Sequence, residues 1–378
     1  MMADSNSNSI CHLTSVHARE DIRIFHKMCK SMAKRGFLIK IVVGDGKKDQ
    51  EKHGVAIIDA GTVAGGRLER MAKGTWKIYC KARQLNSKVF HFHDPELLPI
   101  GILLKIQGKR VIYDVHENLP QDIMSKDYIS PWIRKIVGTG LGIIEKSFSY
   151  FFDIIVVATP AISDRFPNHK TLVIRNFPLL DEFFATDNKP YRERPCHVGY
   201  IGGISNDRGI KEILKAMDLL PRELGAELII AGKFSSERFK SEIKANPEWD
   251  KIKWHGWLNR SQTVKLLQSF RVGLVVLHPT QAYTDSYPIK LFEYMASGTP
   301  VVASDFPVMR KILDEFRCGL LVNPKDPGQI ADALRYILQN PREAENMGRR
   351  GREGIFNKYN WQIEQKKLLS VYQGLVRS

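Results

Sequence analysis

No two cysteines of this chain stand at C-x-x-C spacing. The five that exist (Cys11, Cys29, Cys80, Cys196 and Cys318) are scattered over 378 residues. This argues against a disulfide framework or a zinc knuckle and favours a reducing cytoplasm. Long apolar runs are missing too. Stretches such as Ile154 to Ala158 fall far short of the roughly 20 residues that span a bilayer. The opening MMADSNSNS is polar and charged only at Asp4, unlike a secretory signal. Acidic side chains are few: 41 Asp and Glu stand against 57 Lys and Arg, a formal net charge of +16. Low-complexity segments and short-period repeats are absent as well.

What is there is an ordinary globular composition, 43% hydrophobic and 26% charged, long enough for two domains. The excess charge is not a tail. It divides as +8 in residues 1–185 and +8 in the remainder. An anionic substrate, an anionic membrane face or nucleic acid would each answer it. One local concentration stands out: Arg67 to Lys88 holds seven basic residues and one acid, Glu69. Met71, Trp76, Ile78, Tyr79 and Leu85 are interleaved with them. That pattern fits a basic amphipathic helix on a membrane surface and equally a solvated helix packed on a sheet. Pro131 to Phe152 is strongly apolar. It is expected to be mostly core, with the option that part of it meets a membrane beside Lys135 and Lys146.

Short β-branched runs alternate with amphipathic helices along the whole chain. In the first half the predicted strands are Ile10–Leu13, Leu38–Val43, Val55–Ile58, Val89–Phe92, Lys109–Asp114, Ile154–Ala158 and Thr171–Ile174. After a polar, proline-containing stretch, Asp181 to Pro195, the pattern restarts at Val198–Gly202. It continues through Glu227–Ala231, Ile252–Trp254, Gly273–Leu277, Val301–Ala303 and Leu320–Val322. The expected class is α/β, with two Rossmann-like, doubly wound parallel sheets. The expected domains are residues 1–183 and 184–360. In such sheets ligands bind at the carboxyl ends of the strands. His93-Asp94 and His116-Glu117 fall at two such ends. Gly138-x-Gly140-x-Gly142 follows no strand and reads as helix packing.

The stretch Ser286 to Pro300, SYPIKLFEYMASGTP, is the most informative. Pro288 suits a helix start. Leu291, Phe292 and Met295 space as a buried face, and Gly298 suits a left-handed cap. Glu293 is an acid among apolar neighbours and needs a partner. A ribose diol would serve, and the N–H groups of Ile289, Lys290 and Leu291 at the helix start would suit a diphosphate.

The segment PIKLFEYMASGTPVVASDFP resembles the donor-binding segment of the GT4 family of glycosyltransferases, which have the GT-B fold. The family places two acids with seven residues between them ahead of a small-residue-Gly-Pro-Val-Val run, and Asp285 and Glu293 match. Asp285 departs from the commoner Glu, and the Gly-Phe-Gly run is missing. The P-x-K-L-F-E-Y-M form is closer to the bacterial surface-polysaccharide branch. The resemblance implies two Rossmann-like domains facing across a cleft, with the carboxyl-terminal helix, 361–378, returning to the first.

It also implies roles. Gly202, Gly203 and Arg208 resemble the family's phosphate loop. Its usual first cation is replaced by Gly203 or Ile204, and Lys290, one helical turn before Glu293, is the substitute. Glu293 would hold the ribose and Asp285 the donor sugar. Lys233 and Trp257 would flank the nucleobase, and His116 in Y-D-V-H-E would meet the sugar near its reacting carbon. His93, Asp94 and Glu117 fall on the acceptor side. His91 and His93 share a strand face, which also fits metal ligands. With no further ligand cluster nearby in sequence, no metal or other cofactor is expected. The implied function is a retaining, metal-independent sugar transfer from a nucleotide diphosphate, UDP favoured over GDP. The acceptor would be a lipid-linked saccharide in lipopolysaccharide, O-antigen or capsule assembly, at the inner face of the plasma membrane. Two alternatives stand beside it: a UDP-sugar 2-epimerase of GT-B architecture, and a basic nucleic-acid-binding protein. The leading reading expects no nucleic acid as partner.

Overall fold

The computed structural model describes residues 8–124, 130–184, 189–247, 249 and 252–377, without the side chains of residues 67, 68, 70, 122 and 281. Part of the stretch 181–195 and part of the basic face of 67–88 therefore lie outside the described residues. The chain forms two compact units. One comprises Met1–Asn176 with Trp361–Ser378, the other Phe177–Asn360. The first unit ends seven residues before the expected boundary, because Phe177 and Phe183 already pack in the second unit's core.

The first unit holds eight strands: β1 (Ser9–Leu13), β2 (Leu38–Val43), β3 (Gln50–Lys52), β4 (Val55–Asp59), β5 (Val89–Phe92), β6 (Arg110–Val115), β7 (Ile154–Val157) and β8 (Thr171–Val173). Their order is β3-β4-β2-β1-β5-β6-β7-β8. All pairs are parallel except β3 with β4. The antiparallel edge strand was not expected. His53 (φ 54) and Gly54 (φ 74) make a tight hairpin that folds the polar Gln50–Lys52 back onto β4. Chain order reverses between β1 and β5, and in such sheets that switch point is where ligands bind.

The second unit's strands are β9 (His197–Ile201), β10 (Glu227–Ala231), β11 (Ile252–Trp254), β12 (Val272–Val275), β13 (Val301–Ser304) and β14 (Gly319–Val322). They form one sheet in the order β11-β10-β9-β12-β13-β14. All pairs are parallel, and the reversal lies between β9 and β12. Helices Pro307–Phe316 and Pro341–Asn357 were not anticipated.

The carboxyl-terminal helix, Trp361–Arg377, belongs to the first unit. Its Trp361 is fully buried and donates Nε1–H to Ser31 Oγ at 2.8 Å. The helix Pro131–Ser149 corrects an expectation. Trp132 (66% exposed), Ile136 (64%) and Ile143 (62%) point outward, with Tyr150 and Phe151 exposed just beyond. Its packed side is narrow, because Gly138 and Gly142 let Pro120 of the helix Leu119–Met124 approach to where a Cβ would stand 3.2 and 2.8 Å away. Those glycines do serve helix packing.

Candidate active site

In the second unit the site is built at the switch point. Strand β9 runs into Gly202-Gly203. A Cβ on Gly232, which follows β10 at φ +145°, would stand 1.8 Å from the Gly202 carbonyl oxygen. The two turns therefore lie backbone on backbone, an approach only glycine permits. Arg208 returns to this turn. A Cβ at Gly203 would lie 3.3 Å from its Nη1, and its Nε donates to the Tyr283 hydroxyl at 3.1 Å.

The helix Ile289–Ala296 is seated on β9 and β12, the two strands of the switch point. The Tyr294 ring covers Gly273 of β12, where a Cβ would meet it at 2.4 Å. Its hydroxyl accepts from Ile201 N–H at 3.1 Å and donates to the Gly199 carbonyl at 3.0 Å. That seat places Lys290 beside Tyr200 of β9, with Glu293 one turn further along the helix. Lys290 Nζ is buried, has no hydrogen-bond partner among the described residues, and sits 4.3 Å from the Tyr200 ring centroid. Burial first, then the nearby Arg208 charge, pushes its pKa down to about 7.

Glu293 is 7% exposed, and Arg260 is the partner its burial requires. The same guanidinium donates through Nε and Nη2 to Glu182 Oε2 at 3.0 and 2.6 Å. Burial works against the Arg260 charge, but Glu293 and Glu182 outweigh it and raise its pKa.

The other sequence-predicted residues of this unit scatter. Lys233 and Trp257 are exposed and adjacent, Nζ 5.8 Å from the ring centroid. Asp285 is exposed at the end of the short helix Gln281–Thr284, and Ile289 is 40% exposed. Leu291 must be withdrawn from the donor-facing set. Its side chain is fully buried in the core, and its N–H bonds the Pro288 carbonyl at 3.0 Å.

In the first unit the switch point gathers histidines. His93 and Asp94, expected on the acceptor side, are only 3% and 1% exposed. Both are supports. Asp94 Oδ2 accepts from Thr14 Oγ1 at 2.7 Å and from Ser15 N–H at 2.6 Å, and Oδ1 faces His17 Nε2 at 3.2 Å. Burial would lower the His17 pKa, but its bonds to Asp21 and Asp94 push it up to about 10. His93 Nδ1 meets Asp114 Oδ2 at 3.1 Å, and His116 Nε2 meets the same oxygen at 2.9 Å. Asp114 is fully buried and held by Arg23 through Nε at 3.0 Å and Nη2 at 2.7 Å. Burial would raise its pKa, yet Arg23, His116 and His93 keep it well below the usual carboxylate range. The His116 side chain is 16% exposed, and Glu117 beside it is exposed.

A match to the family of glycosyl transferases group 1 spans residues 184–354. The phosphatidyl-myo-inositol mannosyltransferase of Mycobacterium leprae is 36% identical over 299 residues, which cover 77% of this chain and 74% of that protein. The chain belongs to the glycosyl transferases group 1 family. It is a glycosyltransferase, the leading of the readings drawn from its sequence. The MMP alpha-(1->4)-mannosyltransferase of Mycolicibacterium hassiacum is 23% identical over 301 residues, 74% of this chain and 69% of that one. Among solved structures, the sucrose-phosphate synthase from Thermosynechococcus elongatus superposes with a TM-score of 0.78 at 19% identity, covering 97% and 99% of the two chains. Anabaena HepE in complex with UDP-glucose gives 0.70 at 13%, covering 97% and 99%. Both units are thus the parallel-sheet domains of a GT-B glycosyltransferase.

Against that family background, sequence reasoning had overlooked Arg260, Arg23, His12, His17 and Tyr372. One signal was available. His12 interrupts an otherwise apolar strand, and the β1–β5 register places it opposite His91.

Proposed function

We propose that this glycosyltransferase moves a sugar, with retention of configuration, from a nucleotide diphosphate donor to a lipid-linked saccharide acceptor in lipopolysaccharide, O-antigen or capsule assembly. UDP is favoured over GDP, as the UDP-glucose complex of the structurally similar HepE supports. The donor half rests on one observation: Arg208 and a buried Lys290 with no hydrogen-bond partner among the described residues flank the Gly202-Gly203 turn. Two cations beside a glycine turn at a switch point suit a diphosphate. They would stabilise the charge that develops on the leaving group, usually the largest single contribution to such a reaction. Glu293 would take the ribose diol, since Arg260 engages its Oε1 and a carboxylate has a second oxygen. Asp285 would meet the donor sugar, Lys233 and Trp257 the base, and His116 the sugar near its reacting carbon. With two side-chain cations on the diphosphate, no metal ion is needed. Nucleotide release from UDP-, GDP- and ADP-sugars, with a lipid-linked acceptor fraction supplied, is the direct test. The expected result is UDP release that depends on acceptor and is unaffected by EDTA. Release abolished by EDTA, or dependent on a GDP- or ADP-sugar, counts against this reading.

The acceptor half rests on the first unit's surface. The exposed Trp132, Ile136, Ile143, Tyr150 and Phe151 lie beside exposed Lys135 and Lys146, an apolar face with a cationic border. The helix Arg67–Gln84 adds exposed Trp76, Lys73 and Lys77. No helix among the described residues is long and apolar enough to cross a membrane. Peripheral association at the inner face of the plasma membrane is therefore the proposal. Changing Lys73, Lys77 and Lys81 to Glu should weaken co-sedimentation with anionic vesicles at least about tenfold, given roughly 1 kcal/mol per basic residue. Ile136→Asp with Ile143→Asp should do the same at neutral net lipid charge. Unchanged sedimentation of both variants contradicts the membrane placement.

A further inference from the structure

The first unit buries a run of polar groups that the proposed transfer does not use. His12, His91 and Tyr372 are all fully buried. His91 Nδ1 lies 2.7 Å from the Tyr372 hydroxyl, which lies 2.9 Å from His12 Nε2. His12 Nδ1 lies 2.9 Å from His93 Nε2. His93 Nδ1 then reaches Asp114 Oδ2, the oxygen that His116 Nε2 also reaches. The His12 and His93 ring planes are within 8° of each other, the geometry of an edge-to-edge hydrogen bond.

The protons in this chain have a direction, set at both ends. His93 Nδ1 and His116 Nε2 lie 3.2 Å apart, but Asp114 is ionised and accepts only, so both nitrogens carry protons that point at its oxygen rather than at each other. Burial holds His93 and His12 neutral. His93 Nε2 is then bare and accepts from His12 Nδ1–H. His12 Nε2 accepts the Tyr372 O–H, whose oxygen accepts from His91 Nδ1–H. The last atom, His91 Nε2, is left as a bare lone pair, and it has no partner among the described residues. Running the chain backwards would turn a His93 lone pair on the Asp114 carboxylate and bury an unpaired N–H at His91. Orphaned buried N–H groups are the rarer and costlier outcome. Although His12, His91 and His93 stand close enough to share an ion, every nitrogen but that one is already spoken for by a hydrogen bond.

We propose that His91, Tyr372, His12, His93 and Asp114 form one directed hydrogen-bond chain that fixes His116 as its Nε2–H tautomer, with Tyr372 of the carboxyl-terminal helix as a positioning residue. The catalytic consequence rests on the role proposed above for His116. Without the Tyr372 hydroxyl, His12 loses the donor that keeps Nε2 bare. The reverse tautomers of His12 and then His93 compete, and His93 Nδ1 becomes a bare lone pair 3.2 Å from His116 Nε2, where it competes with Asp114 for the His116 proton and draws the ring off the carboxylate.

The test is nitrogen-15 NMR of the histidine rings in the full-length protein, wild type and Tyr372→Phe, with kinetics alongside. In the wild type, His91, His12 and His93 should be protonated at Nδ1 and His116 at Nε2. In Tyr372→Phe the ring shifts of His12 and His93 should move toward averaged values. kcat should fall several-fold with the donor KM unchanged, a split that loss of packing would not produce. A wild-type His93 protonated at Nε2, stoichiometric zinc in the purified protein, or His93 shifts that ignore the substitution would overturn the chain. The wild-type spectrum decides the direction even if the variant does not fold. Failure of the donor reading would show instead as absent nucleotide binding, with the ring shifts still as assigned.

Discussion

Lys290→Met is expected to weaken binding of the donor nucleotide by roughly 10- to 100-fold, the scale of one charge-assisted contact of about 1.5–3 kcal/mol. The more specific signature is in pH. Burial and Arg208 bring the Lys290 pKa down to about 7 in the free protein. A diphosphate beside Nζ restores the charge, so the bound pKa lies higher. Below pH 7 the ammonium is already present and affinity is flat. Above pH 7 binding must take up a proton, and affinity declines, approaching tenfold per unit. Calorimetry at pH 8 in two buffers of different ionisation enthalpy should report close to one proton taken up by wild type and none by the variant. Stability should move the opposite way. The folded pKa lies below the unfolded value of 10.5, so the cost of burying the ammonium is fully present below pH 7 and fades as pH rises toward 10.5. Lys290→Met should therefore raise the Tm of the free protein most at pH 6 and least at pH 9. A wild-type affinity constant from pH 6.5 to 8.5 contradicts the placement of this lysine.

The largest loss of stability is expected from Asp114→Asn. Arg23 and Asp114 are 4% and 0% exposed and share two hydrogen bonds. Neutralising the carboxylate leaves a buried guanidinium with the Ile174 carbonyl as its other contact, at 3.0 Å. Removing one partner of a buried pair costs about 3–5 kcal/mol. For a unit of this size that is a Tm drop on the order of 10 °C. The pH dependence has a definite sign. Because the folded pKa of Asp114 is depressed, its contribution is present above the unfolded value near 3.8 and is lost as pH falls toward the folded one. The wild-type advantage over Asp114→Asn should hold from pH 5 to 8 and shrink below pH 4. Matching thermal unfolding of the two proteins at pH 7 would contradict this.

The sheets were legible because each strand is a short β-branched run bounded by helical periodicity, and a parallel sheet covered on both faces needs such runs. The edge strand Gln50–Lys52 was not, since its polar residues carry no burial signal and only the His53-Gly54 turn specifies it. Glu293 was read correctly as an acid that needs a partner. Its partner, Arg260, sits on another helix, and nothing local in sequence links the two. His93 and Asp94 were placed at the right strand end, but their burial was not foreseen. The strand end alone does not show that His12, Thr14, Ser15 and His17, some eighty residues away, would cover them. The outward face of Pro131–Ser149 was misread because apolar content by itself does not separate a core helix from one with an unpartnered face.

The measurement to make first is calorimetric titration of UDP, GDP and ADP into wild type and Glu293→Ala. Arg260 keeps Glu182 as a partner in the variant, so the local fold should persist. Binding of UDP to wild type, lost or greatly weakened in Glu293→Ala, is the expected result. A folded wild type that binds none of the three nucleotides would contradict the donor site at the β9–β12 switch point.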